Sequence, residues 1–155
     1  MKCPDPKKMF NKDYPFYTSS SMHMVNHFKK YAKWIKKQYL KDDGSILEIG
    51  SNDGPFLQNF DKNFKIGFEP SRSVHEVALS RGISSINKFF NQSNIKSFLK
   101  KKKKFNVIVA SNVICHIPDQ NDLIKAMDKL LKKNGFIIFE EPYLGSMFEK
   151  VSYDQ

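Results

Sequence analysis

The feature that most limits what this chain can fold into is a step from an apolar run into a glycine loop. Ser45-Ile46-Leu47-Glu48-Ile49 is followed at once by Gly50-Ser51-Asn52-Asp53-Gly54. Such a run reads as a strand buried on both faces, and glycine at its end lets the backbone turn tightly and approach a ligand. From residue 45 onward, short apolar runs alternate with amphipathic segments, the pattern of βαβ units on a parallel sheet. Strands are expected at Ser45 to Ile49, Lys65 to Glu69, Ser84 to Lys88, Phe105 to Ser111 and Gly135 to Glu140. Helices are expected to begin near Pro55, Ser71, Ile95 and Gln120. The last carries Leu123, Ala126, Met127, Leu130 and Leu131 as one apolar stripe, and Lys132-Lys133-Asn134-Gly135 reads as its stop. The predicted class is α/β: a Rossmann-like, doubly wound, mostly parallel sheet with helices on both faces.

The segment 1–44 reads differently, as an irregular opening through Tyr17 and then a helix from Ser21 to about Tyr39, with a serine available as N-cap. Met24, His27, Phe28, Tyr31, Ala32, Trp34 and Ile35 fall mainly on one face, which suits packing on the sheet or over a pocket. We therefore expect one domain, with 1–44 as a lid segment and helix on a core at 45–155. Its 155 residues, 40% hydrophobic, suffice for one packed core. Two cysteines, Cys3 and Cys115, have neither metal-ligand spacing nor scaffold density, so two free thiols and no metal site are expected. The absence of a long apolar run or an apolar stretch after Met1 predicts a cytoplasmic protein without a membrane span. The net charge of +10 would suit a polyanion. Yet its densest run, Lys100 to Lys104, lacks interleaved aromatic residues and sits where a solvated turn is expected, which disfavours nucleic acid as partner.

The loop separates three cofactor classes. The run Gly67-Phe68-Glu69-Pro70 puts a carboxylate about 20 residues beyond the loop, where doubly wound folds hold the hydroxyls of an adenosine ribose. A dinucleotide fingerprint needs glycine two places after Gly50, where Asn52 stands; a Walker A loop needs Gly-Lys-Ser/Thr, which the chain lacks. The remaining pattern, Glu48-x-Gly50-x-x-x-Gly54 with Glu69 on the second strand, resembles methyltransferases that use S-adenosylmethionine (SAM). The acidic Glu48 and Asp53 suit its sulfonium better than a phosphate.

Further segments resemble the sugar C-methyltransferases that act on nucleotide-linked deoxysugars. They are Asp13-Tyr14-Pro15-Phe16-Tyr17-Thr18-Ser19-Ser20-Ser21, Ser111-Asn112-Val113-Ile114-Cys115-His116-Ile117-Pro118-Asp119 and Glu140-Glu141-Pro142-Tyr143-Leu144-Gly145. The resemblance implies that Glu48, Gly50, Asn52, Asp53, Gly54, Glu69, Pro70 and Asn112 line a SAM site, with Tyr14, Tyr17 and Ser20 closing over it. S-adenosylhomocysteine (SAH) would be the product. It implies His116 and Tyr17 as catalytic candidates. Methylation at carbon removes a proton beside a carbonyl, work suited to a histidine; the alternative for His116 is a cap or a packing contact. The acceptor implied is a small molecule, a keto nucleotide sugar, handled by a monomer or weak dimer. The family's layout adds a cysteine-rich zinc module before this core and a further domain after it. The expectation is therefore a core truncated at both ends, or a reduced protein with another acceptor. A SAM-binding fragment without turnover and a nucleic-acid methyltransferase are the competing functions.

Overall fold

The computed structural model describes residues 5–151. A short helix α1 (Pro6–Met9) and a single 3-10 turn at Thr18–Ser20 precede the long helix α2 (Met22–Tyr39). Strands β1 (Ser45–Ile49), β2 (Phe64–Phe68), β3 (Ser85–Ile86), β4 (Phe105–Ser111) and β5 (Leu131–Glu140) follow. Among them lie α3 (Arg72–Ser80), α4 (Lys96–Lys100), α5 (Gln120–Leu130) and, after β5, α6 (Leu144–Glu149). All pairings are parallel and the order is β3-β2-β1-β4-β5. The order reverses at β1, so the segment leaving β1 and the helix that follows β4 go to opposite faces of the sheet and leave a crevice at the carboxyl ends of these strands, the usual ligand position of open α/β sheets.

The apolar runs sit where their composition sends them. Every residue of β1 is buried, as is most of β4, because these central strands are covered on both faces. One face carries α4 and α5, where Phe98, Leu123, Ala126, Met127 and Leu130 pack on Leu47, Ile49, Ile108 and Ala110. The other carries α2, α3 and the segment after β1, where Phe28, Ala32, Ile35, Phe56, Phe60 and Ala78 meet Ile46, Val107 and Val109. Helix α2 starts at Ser21, whose hydroxyl accepts from the Met24 amide at 3.4 Å. It buries Phe28, Ala32 and Ile35 along one stripe. Burial of Phe28 and Ile35 each contributes about 1.5–3 kcal/mol, which ties the first part of the chain into the core.

Three expectations are corrected. No α-helix forms after Pro55; only a 3-10 turn at Leu57–Asn59 is present. There the Asn59 side-chain amide donates to the carbonyls of both Pro55 and Phe56, taking acceptors that a helix would use. Strand β3 is only Ser85–Ile86, because the Lys88 amide turns back onto the Ile86 carbonyl. Helix α5 passes straight from Leu130 into β5 at Leu131 without a glycine stop, although the ladder to β4 becomes regular only from Phe136 onward. The lysine run at 100–104 ends α4 with Lys100 and continues as the exposed turn into β4, with Lys103 Nζ 4.1 Å from the Phe64 ring centroid. Among the described residues no helix is long and apolar enough to cross a membrane. Cys115 is a free thiol, whereas Cys3 lies outside the described residues.

Candidate active site

A cavity of about 610 Å³ opens at the carboxyl ends of β1, β2 and β4, within the size range of small-molecule sites. Its floor is the glycine loop. Gly50 adopts φ +70°, and a Cβ there would stand 2.9 Å from a Val113 methyl group, so loop and β4 extension close on each other only with glycine in place. Asn52 (φ +48°) and Asn112 (φ +53°), both on the cavity wall, share this left-handed conformation. Such strain concentrates where a fold holds a ligand.

Glu69, at the end of β2, is 4% exposed. One carboxylate oxygen accepts from the Asn52 amide at 3.0 Å and the other from the Ser71 amide at 2.7 Å. Burial raises its pKa, the amide bonds pull it back, and nearby Asp53 adds to the rise. Each oxygen keeps a second lone pair, so the group can still accept two hydroxyls. Glu48, also on the wall, is buried, and its Oε2 meets no partner among the described residues. Burial, with Glu69 nearby, pushes its pKa well above the usual carboxylate range. A cation in the cavity would oppose that rise and favour the ionised form.

The opening segment is stapled over this floor. The Asn52 side chain accepts from the Thr18 amide at 2.8 Å and donates to the Phe16 carbonyl at 3.1 Å. Tyr14 and Phe10 reach the wall, their rings 5.3 Å apart. Burial and the negative Glu69 raise the Tyr14 pKa. Beside them the 3-10 turn Ile114–His116 presents His116, on which the Phe10 ring stands edge-on at 5.7 Å.

Of the residues singled out in the sequence, Glu48, Gly50, Asn52, Glu69, Pro70, Asn112, Tyr14 and His116 come together on the cavity wall. Asp53, Gly54, Tyr17 and Ser20 do not. Asp53, within the loop but fully buried away from the cavity wall, accepts from the Ser19 amide at 3.1 Å, the Ser19 hydroxyl, and Arg81 Nη1 at 2.6 Å. Its carboxylate thus fastens the opening segment and the end of α3 to the loop. Gly54 packs against Ile83, and the Ser20 hydroxyl donates to the Tyr17 carbonyl at 2.7 Å. Phe10, Ser111 and Val113 also line the cavity, though no spacing in the sequence marked them. Among the described residues no cluster of three or more His, Cys, Asp or Glu side chains is placed to hold a metal ion.

A parallel sheet with a crevice at its reversal point, a strained glycine loop and an acidic second strand end defines a Rossmann-like fold of the class I methyltransferase type. The solved structure of the plantazolicin methyltransferase BpumL, in complex with a triazolic desmethylPZN analog and SAH, superposes with a TM-score of 0.68 at 18% identity, covering 90% of this chain and 55% of that one. The chain belongs to the methyltransferase domain family, whose model matches residues 20–155. It is 24% identical over 153 residues to the C-methyltransferase NovU of Streptomyces niveus, covering 97% of this chain and 36% of that relative. It is 35% identical over 129 residues to a ubiquinone biosynthesis O-methyltransferase of Pelagibacter ubique, covering 75% of this chain and 53% of the relative. The chain thus spans about a third to about half the length of these curated relatives.

Proposed function

We propose that this chain binds SAM and directs transfer of its methyl group to a small-molecule acceptor, most specifically a carbon of a keto nucleotide sugar. The observation that carries the reading is the placement of Glu69 on the wall of a cavity at the carboxyl ends of β1 and β2, two acceptor positions free, beside the strained loop of Gly50. The residues suit the cofactor. Glu69 would accept the ribose hydroxyls, and Glu48, buried with an unpartnered oxygen, would face a ligand carrying positive charge. When bound, SAM supplies an electrophilic methyl group.

The protein's own part is to orient, exclude water and handle a proton. Tyr14, Phe10 and Phe16 line the cavity beside His116, with the Phe16 carbonyl held by the Asn52 side chain. His116 would take the proton that a keto acceptor loses from the carbon beside its carbonyl, within reach of a carbanion-like centre. Fixing the acceptor in line with the methyl group can contribute about 7–11 kcal/mol. Similarity over 97% of the chain to a C-methyltransferase favours carbon as the acceptor atom. A second reading, cofactor binding without turnover, shares the cofactor assignment and differs only in the transfer assay below.

Calorimetric titration of the purified chain with SAM, SAH and NAD, repeated on Glu69→Ala, tests the cofactor assignment. Binding of the first two but not of NAD, lost by about tenfold or more in the variant, is expected, since hydrogen bonds to a charged group contribute about 1.5–3 kcal/mol. Equal affinity of parent and variant would reject Glu69 as the ribose acceptor. Transfer of labelled methyl from SAM to a keto nucleotide sugar, or its absence beside intact SAM binding, separates the two readings.

A further inference from the structure

Glu140 ends the edge strand β5 and Glu141 follows it, each engaged on a different side of the sheet. Neighbouring residues of a strand point to opposite faces. Ile138 packs with the cluster around α2, so Glu140, two residues on, faces the same way. Both its carboxylate oxygens lie 3.0 Å from His27 Nε2 on α2. Glu141 faces the other way. Its Oε1 accepts from the Val113 amide at 3.0 Å and from the Ile114 amide at 2.8 Å, the entry of the turn that bears His116. The Glu140 carbonyl accepts the Asn112 amide at 2.7 Å. Three successive amides of the segment 112–114 are therefore held from the end of β5.

The segment needs that hold. Asn112 is in the left-handed region, and Val113 must stay against Gly50. The turn's internal ties are the His116 amide to the Val113 carbonyl and the Ile117 amide to the Ile114 carbonyl, both at 3.1 Å. The Gln120 side-chain amide adds bonds of 2.8 and 2.7 Å to the Ile114 and Ile117 carbonyls from the far side. Among the described residues this half-buried turn has no other charged anchor at its start, and a carboxylate accepting two amides is among the stronger anchors available.

We infer that Glu141 is a positioning residue: it acts through the Val113 and Ile114 amides to set His116 against Phe10 on the cavity wall, while Glu140 sets α2 on the opposite side of the sheet. The pair registers the histidine-bearing turn against the helix that supplies Met24 and Phe28 to the same cavity. The inference rests on the proposed role of His116, but its geometry can be read without an acceptor.

The test uses nuclear magnetic resonance of the full chain with the imidazole of His116 as probe, in Glu141→Ala and Glu141→Gln, with Phe10→Ala supplying the assignment and the ring-current contribution. In the parent, Phe10→Ala is expected to move the His116 ring resonances. Glu141→Ala should abolish that sensitivity and shift them toward those of an exposed histidine. Glu141→Gln keeps an acceptor oxygen for the two amides and should retain most of the parental pattern, with far-UV dichroism of all variants unchanged. A Glu141→Ala spectrum in which His116 keeps its parental resonances and its response to Phe10 would overturn the inference, as would equal damage by Gln and Ala. SAH titration of the parent runs alongside: its failure rejects the cofactor reading and leaves the His116 result standing.

Discussion

Asp53 offers the sharpest contrast between what its position in the glycine loop suggests and what its surroundings show, and Arg81→Met is the perturbation that exposes it. The carboxylate is fully buried, and Arg81 is its one cationic partner among the described residues, at 2.6 Å with the Arg81 side chain 43% exposed. Methionine keeps most of the aliphatic stem and removes the guanidinium. Breaking a buried pair from one side costs about 3–5 kcal/mol because an uncompensated charge remains. Here the two Ser19 donors still serve Asp53, and the exposed guanidinium is partly screened by solvent, so a loss of about 2–3 kcal/mol is expected. For a domain of this size that corresponds to a fall in Tm of about 4–12 °C. Urea unfolding of the parent, Arg81→Met, Asp53→Asn and the double variant gives the coupling, expected at about 1–2 kcal/mol since the residues touch. A loss below about 0.5 kcal/mol for Arg81→Met, or additivity within that margin, would refute the clamp, as contacting charges should couple more strongly. The same set separates structure from ligand contact: SAH affinity should follow the stability of the loop equally in Asp53→Asn and Arg81→Met. A collapse of affinity in Asp53→Asn alone would mean that the carboxylate meets the ligand.

Glu48, raised by burial, should shape the pH dependence of stability. A carboxyl whose folded pKa lies above its unfolded value contributes stability that is full below the unfolded pKa and lost as pH rises through the folded one. Glu48→Gln should therefore be more stable than the parent at neutral and alkaline pH, with the gain vanishing below the ordinary glutamate range; a gain that grows toward acid in urea titrations would contradict this. Gly50→Ala places a Cβ 2.9 Å from Val113 at φ +70°, and should cost about 1–2 kcal/mol for the left-handed conformation alone, plus whatever Val113 must yield. An unchanged urea midpoint would show that the loop relaxes freely. Phe56, fully buried with Phe28 and Phe60 rings 5.9 and 5.0 Å away, should lose about 3–5 kcal/mol on change to Ala, measured by urea unfolding; a loss under about 1 kcal/mol would place it outside the core.

The sequence by itself determined the strand order's raw material and the floor of the site. The short apolar runs that became β1 and β4 are long enough for a strand covered on both faces and too short for a helix of the usual length, whereas the similar run Phe136 to Phe139 became the exposed edge strand. Glycine after such a run with an acid at the next strand's end is a local pattern of fixed spacing. Hence β1, β4 and α2 were legible from hydrophobic period, and Gly50 and Glu69 from that spacing. Local spacing also pointed to Asp53, but the residues that decide its surroundings, Ser19 and Arg81, are far from it in the chain. Competition for backbone carbonyls by Asn59 removed the helix expected at Pro55, an effect of side-chain geometry that hydrophobic periodicity does not register. Phe10 beside His116 and Glu141 beneath Val113 were likewise invisible. Their partners are brought near by the path of the sheet and by which way alternate side chains of β5 point, and only the folded chain combines those two facts.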